Sequence, residues 1–565
     1  MFRRLMSATP VATSAHRASP FTRNWRGEVA ALGVTAVAYF SSRTIDFSFR
    51  DPDPSFVLPA LLALVVIHHR ASAWVWAWWL WGALTLAWSL APANTHVSAI
   101  WELTYVAAFA AAWFRPAVWA FLLVAAGDSL FDMLSLNAFG FVQFVSGSVH
   151  YEGGARLLAI VPLGLVAALR SRTTAHAVGW STLGAVALFG TLASGARAVY
   201  LPLILILIVI VARAWIESVP VRRAVTVALA VPLIVIALEA VQPWRPLTLA
   251  LGTKASLERQ ASSAGERGAF TQRLRFWDQT LDIALANPLG AGSGSYEAVV
   301  HAYQKYPMTW SRSPHNYFVE TLAGGGWARL LLLIGMLTVP LVRAWRSPSW
   351  PWALSAAGVW CTLAFDVTSY YPSFMMFAFM CLGAAHFFTR GEGLSVSSQA
   401  WPRKALTWLS LVAGVALSVW WFWPCSGQRC FIERYHGAEF LAAGHLAALE
   451  REARAEIFQE LRRLYPQSLW VLRLEQRYAQ DPNDRLRISR EIAMRFPLQT
   501  PFNYLDWANA ALEVGDREEA TAAVELGLAV FKPDEYPYGE RRMNRQLYQE
   551  WLDAAYRILQ KVNNE

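Results

Sequence analysis

The run Ala198-Val199-Tyr200-Leu201-Pro202-Leu203-Ile204-Leu205-Ile206-Leu207-Ile208-Val209-Ile210-Val211-Ala212 is unbroken in its apolar character, with Arg197 just before it and Arg213 just after. A span near 198–216 is long enough to cross the roughly 30 Å hydrocarbon core of a bilayer as a helix. In lipid, such a segment must satisfy its backbone N–H and C=O groups internally, and a helix does so. The stretch therefore points to an all-α membrane fold, provided that others like it recur.

They do. About thirteen spans are expected, near 27–42, 55–68, 73–91, 98–114, 117–136, 155–169, 177–193, 198–216, 222–241, 316–342, 351–366, 370–388 and 405–423. The composition agrees, with 565 residues, 55% of them hydrophobic, and 28 tryptophans. A formal charge of +9 raises nucleic acid as a partner, but the last 140 or so residues are slightly acidic. The excess arginine thus lies in the apolar part, where orientation in a membrane explains it and no nucleic acid is needed. Met1 to Arg26 is polar and arginine-rich and does not read as a cleavable signal.

Charge orients the spans. With the N-terminus in the cytoplasm, alternate loops carry Arg70, Arg115, Arg170/Arg172, Arg213/Arg222/Arg223, Arg343/Arg346 and Arg390/Arg403/Lys404. The opposite loops hold Asp51-Pro52-Asp53-Pro54, the uncharged 91–97, the nearly uncharged 137–154, and Asp366 to Pro372. This is the positive-inside pattern. It divides the chain into a cytoplasmic segment 1–26, an N-terminal transmembrane bundle 27–241, a large external loop 242–315, C-terminal transmembrane helices 316–423 and an external soluble region 424–565.

The soluble region reads as helical. Tyr465-Pro466, Phe496-Pro497 and Lys532-Pro533 each end a helical stretch, at intervals of about thirty to thirty-six residues. Ala511 to Ala520 looks like the turn between the helices of a tetratricopeptide repeat, with Ala511 where a large residue is usual. Such arrays bind peptides or neighbouring domains, or simply cap the membrane part. Of the four cysteines, Cys361 and Cys381 lie in apolar spans, and Cys425 and Cys430 could pair if that side is oxidising.

Ser313-Pro314-His315-Asn316-Tyr317-Phe318-Val319-Glu320 closes the long loop and opens the next span. Ser-Pro predicts a helix start, with Ser313 as N-cap and Pro314 at the first helical position. His315 and Asn316 would then lie in an anion-receptive first turn. Histidine suits proton transfer from a hydroxyl near neutral pH, although an interfacial histidine also serves as a structural residue. Arg197, in Ser194-Gly195-Ala196-Arg197, stands on the side that the charge rule leaves poor in cations; it binds an anion, snorkels or pairs with a remote acid. Arg273 and Arg275 lie on an amphipathic helix, Gln272-Arg273-Leu274-Arg275-Phe276-Trp277, and are either phosphate ligands or solvated. The glycine-rich stretch Asn287-Pro288-Leu289-Gly290-Ala291-Gly292-Ser293-Gly294-Ser295-Tyr296 reads as a tight turn and fits neither a P-loop nor a dinucleotide fingerprint. Asp128 and Asp132 suit a proton, a cation, a sugar hydroxyl or interhelical pairing, and Tyr370-Tyr371-Pro372 opens a span with a phenol or an interfacial anchor. No acidic-pair metal motif is present.

Together these pieces resemble the bacterial superfamily of O-antigen ligases, Wzy-type polymerases and protein O-oligosaccharyltransferases. The resemblance rests on Ser194 to Arg197, Arg273 to Trp277, Asn287 to Gly292, and Pro314 to Glu320 with Gly324 to Gly326, in that order over roughly residues 180–390. It implies a GT-C-like fold in the inner membrane with the loop and C-terminal region in the periplasm, a glycan donor on polyprenyl pyrophosphate, and neither cofactor nor metal. It assigns His315 to the acceptor hydroxyl, and Arg197 and Arg273 to the pyrophosphate. Asn316, Glu320, Arg275 and Tyr371 are its candidates for positioning donor or acceptor. Arg273 carries over better than Arg275, because the family's arginine stands four residues before the tryptophan. Tyr371-Pro372 and the helical tail lean towards the branch that glycosylates Ser or Thr of periplasmic proteins such as pilins. The branch's N-terminal proline, histidine and tryptophan signature is not clear, which leaves lipid A–core ligation and polymerisation open. A transporter of lipid-linked glycans would also need external arginines, but neither internal repeats nor paired broken helices are visible. A scaffold that gathers partners on its helical repeats would not need His315.

Overall fold

The computed structural model describes residues 28, 32–35, 37, 58–135, 149–194, 196–241, 269–307, 309–365, 372–389, 401–422, 451–531 and 542–564. The described residues form helices and no strand. Up to the long loop these are α1 (Leu58–Ile67), α2 (Ala73–Leu84), α3 (Pro92–Ala111), α4 (Arg115–Ser135), α5 (Val149–Arg170), α6 (Thr174–Ala193), α7 (Arg197–Ile216) and α8 (Val221–Val241). The loop contains α9 (Ala269–Ala286), and α10 (Tyr317–Trp345), α11 (Trp350–Leu363), α12 (Pro372–Phe387) and α13 (Trp401–Phe422) follow it.

Among the described residues, five helical segments are long and apolar enough to cross a membrane: Gly153–Arg170, Thr174–Ala193, Ala198–Ile216, Val221–Val241 and Tyr317–Trp345. Leu58–Arg70, Arg115–Ala125, Pro372–Phe387 and Lys404–Val419 are apolar but shorter. Much of the expected first span lies outside the described residues. The expected span 73–91 is shorter as a helix: α2 stops at Leu84, a 3-10 turn covers Thr85–Trp88, and Pro92 opens α3 from its first turn.

Burial sorts the helices. Nearly every residue of α3 is buried, packed against α12, α1 and α2. Helices α7 and α8 instead expose Leu201, Ile204, Ile208, Val211, Leu229, Leu233 and Ile236. Exposed apolar side chains in this number are unsuited to water and suited to lipid.

Six further helices complete the described chain: α14 (Arg451–Leu464), α15 (Leu469–Tyr478), α16 (Pro482–Arg495), α17 (Phe502–Glu513), α18 (Arg517–Val530) and α19 (Arg542–Asn564). Each packs on the next. Helices α14, α16 and α18 end just before the three aromatic– or lysine–proline pairs. Between α17 and α18, Gly515 takes φ 82° and Asp516 accepts a hydrogen bond from Glu519 N, closing the expected turn. Ion pairs run from one helix to the next, such as Arg462–Glu475 at 2.6 Å and Arg485–Glu513 at 2.7 Å.

This array is docked. One apolar cluster joins Ile457, Phe458, Leu461, Tyr465 and Val471 of the array to Ala91, Ala93, Ile283, Ala291, Tyr296, Val299, Val300 and Ala323. Cys361 and Cys381 are free, whereas Cys425, Cys430 and the side chains of Asp128 and Asp132 lie outside the described residues.

Candidate functional site

The helix that carries His315's neighbourhood does not start where Ser313-Pro314 predicts. Asn316 is the N-cap of α10: its side-chain oxygen accepts from Phe318 N at 2.9 Å and from Val319 N at 3.2 Å. His315, just before it, has φ 55°. A non-glycine residue in this conformation does not continue a right-handed helix, so Ser313 and Pro314 fall outside α10. The Ser313 hydroxyl accepts from His315 N at 3.0 Å, a local turn that competes with helix entry.

The segment 309–315 lies along α9. Trp277 Nε1 donates to Pro314 O at 2.8 Å, and Gln279 Nε2 donates to Thr309 O at 3.0 Å. The His315 ring stacks on Phe276 with centroids 5.8 Å apart and planes 16° apart. Its Nε2 is 3.3 Å from the Ser311 hydroxyl. The imidazole is half-buried, so it is held on one face and reachable on another.

Arg273 precedes Phe276 by three residues and Trp277 by four, which places all three on one face of α9. Arg275 is turned elsewhere, its guanidinium 5.1 Å from the centre of the Tyr306 ring. Glu320 lies in the first turn of α10. Burial drives the Tyr296 phenol above its ordinary range, the Thr280 contact opposes this, and the charge of Glu320 adds to it. Arg197 begins α7, where free backbone N–H groups favour an anion, but its side chain lies outside the described residues, as does Tyr371.

The two glycine-rich motifs meet backbone to backbone. Helix α10 bends at Gly326, which has φ 69°. Freed carbonyls find partners outside the helix: Ala291 N donates to Ala323 O at 2.8 Å, Gly292 N to Gly324 O at 2.9 Å, and Trp81 Nε1 to Gly325 O at 2.7 Å. Trp327 N turns to Pro288 O at 3.4 Å. A Cβ on Gly326 would lie 2.6 Å from the Leu289 carbonyl carbon, so the close approach requires glycine on both counts.

Beneath this clasp is a buried polar network that the sequence reading passed over. Arg329 donates to Glu102 Oε2 at 2.5 Å and to the Ser293 hydroxyl, and its guanidinium lies 4.7 Å from the centre of the Trp78 ring. Ser293 donates to Glu102 Oε1 at 2.8 Å, and Ser98 donates to the same oxygen at 3.1 Å. Both charged side chains are more than nine-tenths buried. The available signal was one acid in the span near 98–114 and one base in the span near 316–342, because opposite charges within apolar spans seek each other.

A third feature, also missed, joins the site's loop to the helical array. His301 is 2% exposed, and neither ring nitrogen has a hydrogen-bond partner among the described residues. Trp310 lies 4.5 Å from it and Trp470 of α15 lies 5.8 Å from it, measured between ring centres. Burial pushes the imidazole down to about 4. Nearby, Gln304 Nε2 donates to Leu498 O at 2.7 Å.

Apolar helices with lipid-suited faces, and a polar loop that presents a histidine beside an arginine-bearing helix, define a multi-pass membrane protein with a candidate reactive site on the loop. Residues 157–334 match the family model described as O-antigen ligase (Wzy_C). The matched segment runs from α5 into α10 and contains Arg197, Arg273, both glycine-rich motifs and His315, so the resemblance carried by the motifs holds at superfamily level. The match supports a ligase or transferase of lipid-linked glycans as the general class. No curated protein matches the chain.

Proposed function

We propose that this protein transfers a glycan from a polyprenyl-pyrophosphate carrier to a hydroxyl acceptor at the periplasmic face of the inner membrane, with Ser or Thr of a periplasmic protein, pilin-like in kind, as the acceptor. The observation that carries the reading is the half-buried His315 imidazole stacked on Phe276 of α9, the helix whose same face bears Arg273. In the reaction the acceptor oxygen forms a bond to the anomeric carbon of the donor sugar. The bond from that carbon to the pyrophosphate oxygen breaks, and its electron pair leaves with the pyrophosphate. His315 takes the acceptor's proton, a contribution of roughly 10²–10⁴-fold for a well-placed base. Arg273 and Arg197 hold the leaving pyrophosphate, each charged hydrogen bond contributing about 1.5–3 kcal/mol. Asn316, Glu320, Arg275 and Tyr371 are assigned to positioning around these groups.

The protein acceptor is supported by the helical array, read as tetratricopeptide-like, which is docked against the loop that carries the site. Lipid A–core is the second reading, favoured by the description of the matching family model. The test is reconstitution with a polyprenyl-pyrophosphate glycan and two acceptors, a pilin-like protein and lipid A–core. Glycosylation of the protein is expected, and His315→Ala should abolish it while the variant still inserts into the membrane. Wild-type transfer by His315→Ala would overturn the assignment, and glycosylation of lipid A–core alone would select the second reading.

A further inference from the structure

The candidate site is assembled from two pieces of chain that are not continuous. One is α9, with Arg273 and Phe276; the other is the lead-in to α10, with His315. The glycine-rich turn after α9 grips the bend of α10 through the hydrogen bonds from Ala291 N and Gly292 N. The segment Tyr317 to Gly325, which follows His315, therefore has its far end clasped by the turn that α9 leads into. Backbone hydrogen bonds set the distance between the two pieces, but they do not by themselves fix the depth at which the turn sits in the helical bundle.

Ser293, inside the turn, supplies that link. Its backbone N–H donates to Thr85 Oγ1 at 3.0 Å, and its hydroxyl is joined to Arg329 of α10 and Glu102 of α3. Arg329 stands three residues beyond the Gly326 bend, and a Cβ on Gly325 would lie 2.5 Å from Arg329 Cβ. One ion pair thus contacts the turn, the helix below the bend and the fully packed helix α3. Residues this deeply buried are a costly way to obtain stability alone, because a buried pair can often be replaced by apolar side chains of similar volume without loss.

We propose that the buried Arg329–Glu102 pair is a positioning device, holding α9 and the His315 segment in register through Ser293 of the turn between them. The inference rests on the reading of His315 as the group that acts on the acceptor. Neither Arg329 nor Glu102 is assigned contact with substrate; they act through the turn.

The test uses the full-length protein in detergent or lipid nanodiscs, with four variants: Glu102→Leu/Arg329→Met together, Ser293→Ala, Glu102→Leu alone and Arg329→Met alone. The single charge removals leave one ion buried without its partner and should destabilise the protein. The double change leaves no lone charge, so its thermal midpoint should return close to that of the wild type. Its kcat for glycan transfer should nevertheless remain roughly 10–100-fold low with KM for donor little changed, the scale expected when reacting groups are displaced by about 1 Å. Ser293→Ala, which carries no charge change, should fold normally and lose kcat in the same direction by a smaller factor.

A readout independent of transfer is the rate at which diethyl pyrocarbonate modifies His315, followed peptide by peptide by mass spectrometry. It should rise several-fold in the double variant and in Ser293→Ala as the stack on Phe276 loosens. Wild-type kcat and an unchanged His315 modification rate in Ser293→Ala, or in a folded double variant, would overturn the proposal. Should the double variant fail to fold, Ser293→Ala decides by itself. If His315→Ala retains transfer, the catalytic reading fails, and the modification rate still reports whether the pair positions the segment.

Discussion

His301 gives the sharpest prediction, because its environment sets both sign and size. The ring is buried between Trp310 and Trp470 with no hydrogen-bond partner among the described residues. Burial is the cause that lowers it from the ordinary 6.5 to about 4. Among the charged groups on adjoining elements, Lys305 is paired with Asp278 and Asp282, Arg312 with Glu297, and Arg473 with Asp506. When the array separates from the loop, His301 regains water and its ordinary affinity for protons. Between pH 6.5 and about 4 the open state then binds a proton that the docked state does not, so docking weakens as pH falls. Above pH 6.5 the effect is absent, and below about 4 it levels off. The interval corresponds to about 3.4 kcal/mol at most, or roughly 300-fold in the opening equilibrium. The assay is hydrogen exchange of residues 469–478 and 300–307, corrected for intrinsic rate, from pH 7.5 to 4.5. Protection should fall with pH in the wild type and stay level in His301→Leu, which fills similar volume without a titrating group. The same pH dependence in both proteins would refute the reasoning.

Two other predictions concern the site directly. Arg273→Lys keeps the charge but loses the planar fork, so donor affinity should fall by roughly 10-fold or more, while Arg275→Lys, leaning on Tyr306, should change it by less than about two-fold. Titration with a polyprenyl-pyrophosphate probe checks this, and equal losses would remove the distinction. Gly326→Ala forces a Cβ into a left-handed residue and to 2.6 Å from the Leu289 carbonyl carbon, where backbone has little room to yield. The expected loss is about 2–5 kcal/mol from strain and overpacking together, measured as a lower thermal midpoint; an unchanged midpoint would mean that the bend is not fixed by this contact.

The helical membrane class was legible because it depends on composition along one segment at a time. Runs such as 198–212 are apolar throughout, and a helix is the local solution that satisfies their backbone. The prolines at 466, 497 and 533 marked helix ends in the soluble region for the same local reason, and Asp516 with Gly515 marked a turn. The motifs on α9 and around His315 could also be read in order, which is how the superfamily became visible before any geometry.

Other features were decided by contacts between distant residues. Ser313-Pro314 is a sound local start signal, yet Asn316 won the cap and His315 took a left-handed conformation against Phe276, nearly forty positions earlier. In the sequence the glycines of the turn and of α10 are two separate motifs; in the structure they are the contact surfaces of two backbones that hydrogen-bond to each other. Glu102 and Arg329 are 227 positions apart, and His301 and Trp470 belong to regions that the sequence divides into separate domains. Sequence by itself determined which segments are helical and which residue types are available for chemistry, because those follow from local hydrophobicity and backbone geometry. Only the tertiary structure decided which charges pair, where the helical array docks and which ring of α9 His315 stacks on, because burial and distance are properties of the packed chain.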